Sequence, residues 1–163
     1  MAGLLLALVA GAWVIVVLSA PLAPAQVAAV IYGFGAQICH QIPERSLHLG
    51  AFQLPVCARC LGIYGGAALG AAAPLLLGGH WRARAPSRAA AVRRLVGVAV
   101  LPTIATVLLE WVGLWFPSNA QRLMAGVPLG CAIAFVVARE LATVNYTQCA
   151  PSRPIVRGPP GPT

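Results

Sequence analysis

The stretch Cys39–Gly70, CHQIPERSLHLGAFQLPVCARCLGIYGGAALG, holds most of the chain's chemically reactive side chains. Three of the five cysteines, two of the three histidines, two arginines and a glutamate lie between Cys39 and Cys60. The sequence on either side consists mainly of Ala, Leu, Val and Gly. This contrast indicates an apolar scaffold that holds a small polar site.

The composition is that of a polytopic membrane protein. Of 163 residues, 60% are hydrophobic and 9% are charged, and the mean hydropathy is +0.84, whereas a soluble domain has about 25% charged residues. All eleven basic residues are arginine, and the formal net charge is +8. Binding of nucleic acid needs a basic face on a soluble fold, so we expect the lipid bilayer, and no nucleic acid, as a partner.

Four apolar segments are long enough to cross a bilayer, because about 20 helical residues span a hydrocarbon core of about 30 Å. The predicted fold is an all-α, integral membrane helical bundle that forms a single domain over residues 1–144. The predicted spans are residues 4–20, 60–79, 95–116 and 123–144. Gln26–Ile38 is apolar but too short to span, so we predict a short outer helix. It precedes a predicted loop over Cys39–Arg59, the motif loop, which contains Pro43, Gly50 and Pro55. The tail, residues 145–163, is rich in Pro and Gly, and we predict that it is disordered and cytoplasmic.

The first apolar segment has an alternative interpretation as a cleaved signal peptide. Ala23-Pro24-Ala25 resembles a small-residue cleavage site. However, a signal peptide typically has Lys or Arg before its apolar core, and neither precedes this one. A retained helix is therefore favoured. In both interpretations the chain from residue 25 onward begins on the outer side.

The distribution of arginine predicts the orientation in the cell membrane. Short cytoplasmic loops carry an excess of Arg and Lys, and residues 80–94 contain five arginines. With this loop and both termini in the cytoplasm, the cytoplasmic arginines are Arg82, Arg84, Arg88, Arg93, Arg94, Arg139, Arg153 and Arg157. Only Arg45, Arg59 and Arg122 remain on the extracytoplasmic side, together with the motif loop. Because membrane insertion does not favour these three positions, they indicate a functional site.

The predicted topology brings the outer end of span three and the start of span four to the same membrane face as the motif loop. Glu110 is predicted to lie about two turns from the end of span three, where an ionised carboxylate needs a partner. Arg59 and Arg122 are its expected partners, and Arg45 completes a polar pocket of candidate catalytic residues. Three arginines would suit an anionic substrate such as a lipid phosphate or a carboxylate. A purely structural Glu–Arg clamp between helices explains the same residues.

Cys57-Ala-Arg-Cys60 has the C-x2-C spacing that lets two thiolates bind one tetrahedral metal ion. Cys39 and His40 lie upstream in the same loop, and the four residues are the predicted metal ligands, with zinc as the expected ion. Because adjacent residues do not easily face one ion, His40 is alternatively a group beside the site. With three protein ligands and an open position, such an ion would activate water or polarise a substrate; whether the protein is an enzyme stays open.

The same cysteine pair also suggests a thiol–disulfide oxidoreductase, because a helix N-terminus and Arg59 would favour a reactive thiolate. In outline the chain is similar to the four-helix, quinone-linked disulfide-forming enzymes of bacterial inner membranes, which carry a C-x2-C at the outer start of span two. It departs from them because its second outer loop, Pro117–Gln121, contains no cysteine pair. A third hypothesis is a non-enzymatic structural or assembly subunit.

Glycines recur every four residues in two of the predicted spans. They are Gly62, Gly66 and Gly70 in span two, and Gly126 and Gly130 in span four. Small residues at this spacing line one face of a helix and let another helix approach closely. They predict tight helix packing, either within the chain or in a homo-oligomer.

The order of the motifs resembles that of a family of small predicted membrane proteins of bacteria and archaea, known as a domain of unknown function. The motifs are CHQ, PERS and CARCxGIYxG, followed by SNxxRxxxGxxxG. They fall on Cys39, His40, Gln41, Glu44, Arg45, Ser46, Cys57, Arg59, Cys60, Gly62, Tyr64, Ser118, Asn119, Arg122, Gly126 and Gly130. The resemblance covers roughly Ile31 to Ala134 and implies a membrane-embedded site without naming its chemistry.

Overall fold

The structure, a computed structural model, describes residues 2–76 and 89–149, with side chains for residues 3–76 and 89–141. This part of the chain contains five α-helices, a two-stranded antiparallel sheet and two short 3-10 turns. The helices are α1 (Ala2–Ser19), α2 (Ala25–Ile38), α3 (Ala58–Leu76), α4 (Ala89–Trp111) and α5 (Asn119–Cys149). The strands are β1 (Ser46–Leu49) and β2 (Phe52–Cys57), and the 3-10 turns are Ala20–Leu22 and Pro43–Arg45.

Four of these helices can span a membrane, which confirms the predicted polytopic bundle. The segments with sufficient length and hydropathy are Gly3–Leu22, Ala58–Leu76, Ala89–Trp111 and Asn119–Leu141. On α1 the side chains of Leu5, Leu8 and Ile15 are 64%, 61% and 67% exposed. In water such a surface would promote aggregation, whereas on a membrane-spanning helix it is suited to contact with lipid. The helix α2 has 14 residues and is too short to span.

The helices α3 and α5 pack with their backbones in contact, as the glycine spacing predicts. A Cβ atom at Gly62, Gly66, Gly70, Gly126 or Gly130 would overlap a backbone carbonyl oxygen of the other helix. The oxygens concerned belong to Leu123, Val127, Cys131, Arg59 and Ile63. Both glycine faces are therefore filled within the chain, and self-association through them would require this helix pair to separate.

The predicted loop between Cys39 and Arg59 is wrong in part, because it contains a β-hairpin. Ser46 pairs with Cys57, His48 with Gln53 and Leu49 with Phe52, and an irregularity in register lies between Ser46 and His48. Gly50 takes the positive φ of +62° that the tight turn requires. Pro55 within β2 argued against a strand, but a two-stranded sheet leaves one edge of each strand unpaired, where a residue without an N–H is tolerated.

The helix α4 ends at Trp111, five residues before the predicted end of span three. Gly113 has φ +73°, and its N–H donates to the carbonyl of Glu110 while the N–H of Leu114 donates to that of Leu109. This is a Schellman motif, in which a left-handed glycine terminates the helix. Glu110 therefore lies next to the last residue of the helix, not two turns inside it as predicted.

Other boundaries differ from the predictions in ways that local chemistry explains. The helix α5 begins at Asn119, four residues early, because Ser118 and Gln121 form a capping box: the Gln121 N–H donates to Ser118 Oγ (3.3 Å) and the Ser118 N–H to Gln121 Oε1 (2.8 Å). The same helix continues to Cys149, so residues 145–149 are helical and not a disordered tail.

Three predictions extend beyond the described part of the chain. Residues 89–94, the last part of the predicted basic loop, form the start of α4. The predicted end of span two at residues 77–79, the rest of the basic loop at residues 80–88 and the tail from residue 150 lie outside the described residues.

Candidate functional site

The three cysteines of the motif region converge in the structure. The sulfur atoms of Cys39, Cys57 and Cys60 all lie within 4.8 Å of one another, and each of the three is a free cysteine. Zn–S bonds of about 2.3 Å in a tetrahedron place sulfurs roughly 3.8 Å apart. Small side-chain adjustments would therefore let all three sulfurs bind one ion.

Three different elements deliver the sulfurs to this point. Cys39 is the C-cap of α2, and its N–H donates to the carbonyl of Gly35 at 2.9 Å. Cys57 ends β2 and directly precedes α3, whose first turn carries Cys60. The N–H of Cys57 donates to Cys39 Sγ at 3.1 Å, and the N–H of Cys60 donates to Cys57 Sγ at 3.5 Å. Two of the three sulfurs thus accept a backbone hydrogen bond, an interaction that generally stabilises a thiolate over a thiol.

The thiol of Cys57, at the end of β2, has a lowered pKa. A hydrogen bond from the Cys60 side chain, with further hydrogen bonds from the Cys60 and Arg59 backbone and the Cys39 side chain, lowers the pKa of Cys57 to about 5, against the opposing effect of burial. A thiolate at a helix N-terminus is both a better nucleophile and a better metal ligand than a thiol. This electrostatic environment suits either of the chemistries that the sequence predicts.

Apolar side chains enclose the cysteine cluster. Cys39 belongs to a buried core with Val17, Leu54, Val56 and Leu61, and Cys57 and Cys60 pack against that core. The side chains that complete the wall are Trp13, Val14, Leu47, Tyr64 and Leu123. This wall, drawn largely from α1, α3 and the hairpin, limits the access of water to the sulfurs. Tyr64, the one hydroxyl in the wall, lies one helical turn beyond Cys60.

His40, predicted as a fourth ligand, does not join the cysteine cluster. Its side chain is exposed, whereas that of Cys39 is 8% exposed. The backbone at Cys39 is extended, with φ −148° and ψ 139°, so that consecutive side chains point in opposite directions. The group of side chains that could hold a metal in the described chain consists of the three cysteines without the histidine.

Two glutamine side chains, Gln41 and Gln53, fix the position of Cys39 relative to Cys57 by hydrogen bonds. Motif analysis did not identify this role. Gln41 Nε2 donates to the carbonyls of Tyr32 and Pro55, both at 2.8 Å, and so joins α2 to β2. Gln53 Nε2 donates back to the carbonyl of Gln41 at 2.6 Å, and the Tyr32 hydroxyl donates to the carbonyl of Gln53. Gln41 also has a φ of +50°, unusual for a residue with a side chain. The sequence signal that could have indicated this role is the presence of glutamine in a mainly apolar chain.

The predicted polar pocket forms around Glu110. Its Oε1 lies 3.0 Å from Arg45 Nε and 2.9 Å from Arg122 Nη2, and its Oε2 lies 3.5 Å from Arg59 Nη2. The structure therefore brings together all four of the predicted pocket residues, which come from the 3-10 turn, α3, α4 and α5. The side chains of Glu110 and Arg122 are each 9% exposed, that of Arg59 is 16% exposed and that of Arg45 is 46% exposed. We refer to these four residues as the arginine cluster.

Neutral polar groups extend the arginine cluster into the surrounding structure. Arg122 Nη1 donates to Asn119 Oδ1 at 2.9 Å and to the carbonyl of Glu44 at 3.4 Å. Asn119 Nδ2 donates to the carbonyl of the buried Ser46 at 2.8 Å, which ties α5 to the hairpin. Arg59 Nη2 lies 3.4 Å from Thr106 Oγ1 on α4. Thr106 was missed because a threonine in an apolar helix gives no sequence signal of a polar neighbour.

The side chains of Arg59 and Cys60, both in the first turn of α3, point in different directions and belong to different clusters. Cys60 packs toward the core formed with α1 and the hairpin, while the intervening Arg59 reaches α4 at Thr106 and Glu110. Consecutive helical positions are about 100° apart, so side chains at 59 and 60 contact different neighbours. The metal-ligand candidates and the arginine cluster are therefore adjacent sites with separate linings.

The fold is a four-span helical bundle that carries the cysteine cluster and the arginine cluster at one end. These features define a multi-pass membrane protein with a candidate metal centre. The chain belongs to the family described as "Predicted membrane protein (DUF2085)", whose model matches residues 39–136. This interval begins at Cys39 and includes every residue of both clusters. The predicted membership of this family is thereby confirmed.

Two archaeal proteins, each described as an uncharacterized protein, are similar to the chain. One, from Methanothermobacter thermautotrophicus, is 31% identical over 97 residues, which are 60% of this chain and 81% of that protein. Another, from Methanocaldococcus jannaschii, is 45% identical over 40 residues, which are 24% of this chain and 26% of that protein. The chain thus spans about a quarter of the Methanocaldococcus protein. No solved structure matches the chain.

Proposed function

We propose that the protein is a membrane metal-binding protein that holds a zinc ion with Cys39, Cys57 and Cys60. The observation that supports this proposal is the convergence of three free sulfurs within 4.8 Å, from three separate elements. Soft thiolate ligands at tetrahedral spacing favour zinc over harder cations. The backbone N–H groups that donate to Cys39 and Cys57 favour the ionised sulfurs that binding requires.

Three protein ligands leave the fourth zinc position for water or for a substrate. An ion bound in this way would supply Lewis-acid chemistry, as in catalytic zinc sites. The surrounding apolar residues, including Val17, Val56 and Leu61, would keep the environment of low polarity. Catalysis on an anionic or lipid substrate is the finer proposal, and the adjacent arginine cluster supports it because guanidinium groups bind anions.

Metal analysis of the purified full chain tests the proposal. We expect about one zinc per chain in the wild type, and loss of at least nine tenths of it in Cys57→Ser and Cys60→Ser, because two remaining thiolates bind zinc far more weakly. Cys131→Ser is the matched control: Cys131 is also a free cysteine but lies outside the cluster. Elemental analysis after exhaustive dialysis measures the content, and equal zinc in all four proteins would contradict the assignment of the ligands.

A thiol–disulfide oxidoreductase is the second candidate, and the position of the cysteine pair favours it. Cys57 and Cys60 sit at the N-terminus of α3, where the helix dipole and unpaired N–H groups stabilise a thiolate, and Cys39 lies close enough to act as a third thiol. Thiol trapping separates the candidates. A metal-free protein whose cysteines alkylate only after reduction would support redox chemistry and exclude the zinc proposal.

We further propose that both clusters face the extracytoplasmic side, with both termini in the cytoplasm. The excess of arginine in residues 80–94 supports this orientation. Arg94, at the start of α4, and Glu110, near its end, lie at opposite ends of that helix.

Cysteine labelling tests the orientation. In intact cells a membrane-impermeant maleimide should label His48→Cys above the wild-type background, because His48 is exposed on the hairpin. Arg94→Cys, also at an exposed position, should label only after the cells are opened. The reverse pattern would overturn the orientation and leave the zinc proposal intact.

A further inference from the structure

The arginine cluster carries more positive charge than its single carboxylate can balance. Three guanidinium groups contact Glu110, which leaves a formal charge of +2 among these four contacting residues. The nearby Glu44 contributes only its backbone carbonyl, to Arg122, and its side chain is exposed. A clamp between helices needs one cation for each carboxylate, and each further buried arginine carries a desolvation cost. The cluster therefore contains more charge than a structural clamp requires.

The buried donors of the cluster are also incompletely used. Arg59 Nε and Arg122 Nε are buried and have no hydrogen-bond partner. A buried N–H of a charged group without an acceptor is costly, and native proteins seldom retain one without a reason. Arg122 is only 9% exposed, so that solvent cannot readily satisfy it. The excess positive charge and the unused donors of Arg59 and Arg122 both indicate a site suited to an anion.

We propose that the arginine cluster is a binding site for a phosphate group. Guanidinium groups from three elements offer planar, forked donors that match the several oxygens of a phosphate. The side chain of Arg45 is 46% exposed and can be reached from solvent, whereas those of Arg59 and Arg122 are largely buried. The cluster lies where α3 and α5 begin and α4 ends, and the ends of membrane-spanning helices lie near the level of the lipid head groups.

The phosphate has two sources with the same chemistry, an anionic lipid head group and free phosphate. The site goes beyond the proposed zinc function and does not require it, because its residues line the α4 side of α3 whereas the sulfurs line the α1 side. An anion bound on zinc must nevertheless be distinguished from one bound by arginine, which the variant Cys57→Ser allows.

The test measures thermal stability of the full chain in uncharged detergent, with phosphatidylglycerol, phosphatidylcholine or inorganic phosphate added at constant ionic strength. A ligand that binds the folded state raises its unfolding temperature with increasing concentration. We expect saturable stabilisation by phosphatidylglycerol or inorganic phosphate, and none by phosphatidylcholine, because the choline cation cancels the negative charge of its phosphate. Stabilisation by the lipid alone identifies the head group as the ligand, and stabilisation by inorganic phosphate identifies the free anion. If neither exceeds phosphatidylcholine, the proposal fails.

Variants locate the binding. Arg45→Ala should weaken it by at least about tenfold, as expected for loss of a charge-assisted hydrogen bond, and Arg45→Lys, which keeps the charge but not the fork, should weaken it less. Arg94→Ala removes an exposed charge at the other end of α4 and should leave the affinity within about twofold. Cys57→Ser should bind as well as the wild type. Equal loss in Arg45→Ala and Arg94→Ala, or loss in Cys57→Ser, would overturn the proposal; in the second case the zinc proposal would survive.

Discussion

Gly66→Ala should abolish most of the folded protein, whereas Gly65→Ala, one residue earlier, should not. The added methyl group at position 66 would overlap the carbonyl oxygen of Val127, a backbone atom that cannot rotate away. Relief requires α3 and α5 to separate along the interface that Gly62 and Gly130 also form. Overpacking of a side chain costs about 1–3 kcal/mol, and a clash with backbone should lie at or above the top of this range.

Gly65→Ala is a control with the opposite expected sign. A Cβ at Gly65 meets no atom within 4 Å, and alanine favours a helix by up to about 1 kcal/mol over glycine. Thermal unfolding in detergent and the monodisperse fraction after size exclusion measure both variants. Equal behaviour of the two variants would mean that α3 and α5 are not in backbone contact, and that the glycine faces are free for self-association.

Glu110→Gln, which replaces one carboxylate oxygen by an amide group, should strongly lower the stability of the folded protein. The variant keeps the size of the side chain but leaves Arg45, Arg59 and Arg122 without the carboxylate that contacts all three. Removing one partner from a buried ion pair typically costs about 3–5 kcal/mol, because an unbalanced charge stays buried. We therefore expect a large drop in unfolding temperature, with the zinc content of the chain that remains folded unchanged.

Glu140→Gln is the matched control for this prediction. Glu140 is 60% exposed and lies 3.9 Å from Arg139, and exposed pairs contribute about 0–1 kcal/mol. If the arginine cluster binds phosphate, added phosphate should also restore part of the stability that Glu110→Gln loses, since the uncompensated charge rises from +2 to +3. A Glu110→Gln protein as stable as Glu140→Gln would show that the carboxylate does not balance the arginines.

The membrane class and the glycine-lined helix faces could be predicted because each depends on a local pattern, and the residues of both clusters could be recognised individually because they are polar or reactive in an apolar chain. Long apolar runs need only length to indicate spans, and the spacing of Gly62, Gly66 and Gly70 marks one helix face whatever its partner. Only the structure reduced the predicted metal ligands from four residues to the three cysteines. His40 is adjacent to Cys39 in sequence, and only the extended backbone at Cys39 reveals that the histidine points away.

The hairpin and the end of α4 could not be predicted with the same rules. Pro55 is unfavourable in a paired strand, and nothing in the local sequence reveals that its carbonyl receives a hydrogen bond from Gln41. Gly113 within an apolar run gave a weak signal of a helix end, and the run of apolar residues from Trp111 to Phe116 masked it. In both cases long-range or backbone hydrogen bonds outweighed the pattern of side chains.

The sequence by itself determined that this chain crosses the membrane, where its helices can approach closely and which residues are chemically unusual, because hydropathy and residue spacing are properties of the linear chain. Only the tertiary structure decided which of those residues meet. Cys39 reaches Cys57 and Cys60 through the fold of α2 against the hairpin. Glu110 meets three arginines because α4 ends beside the starts of α3 and α5. Such encounters depend on packing between segments far apart in the chain, which no local pattern encodes.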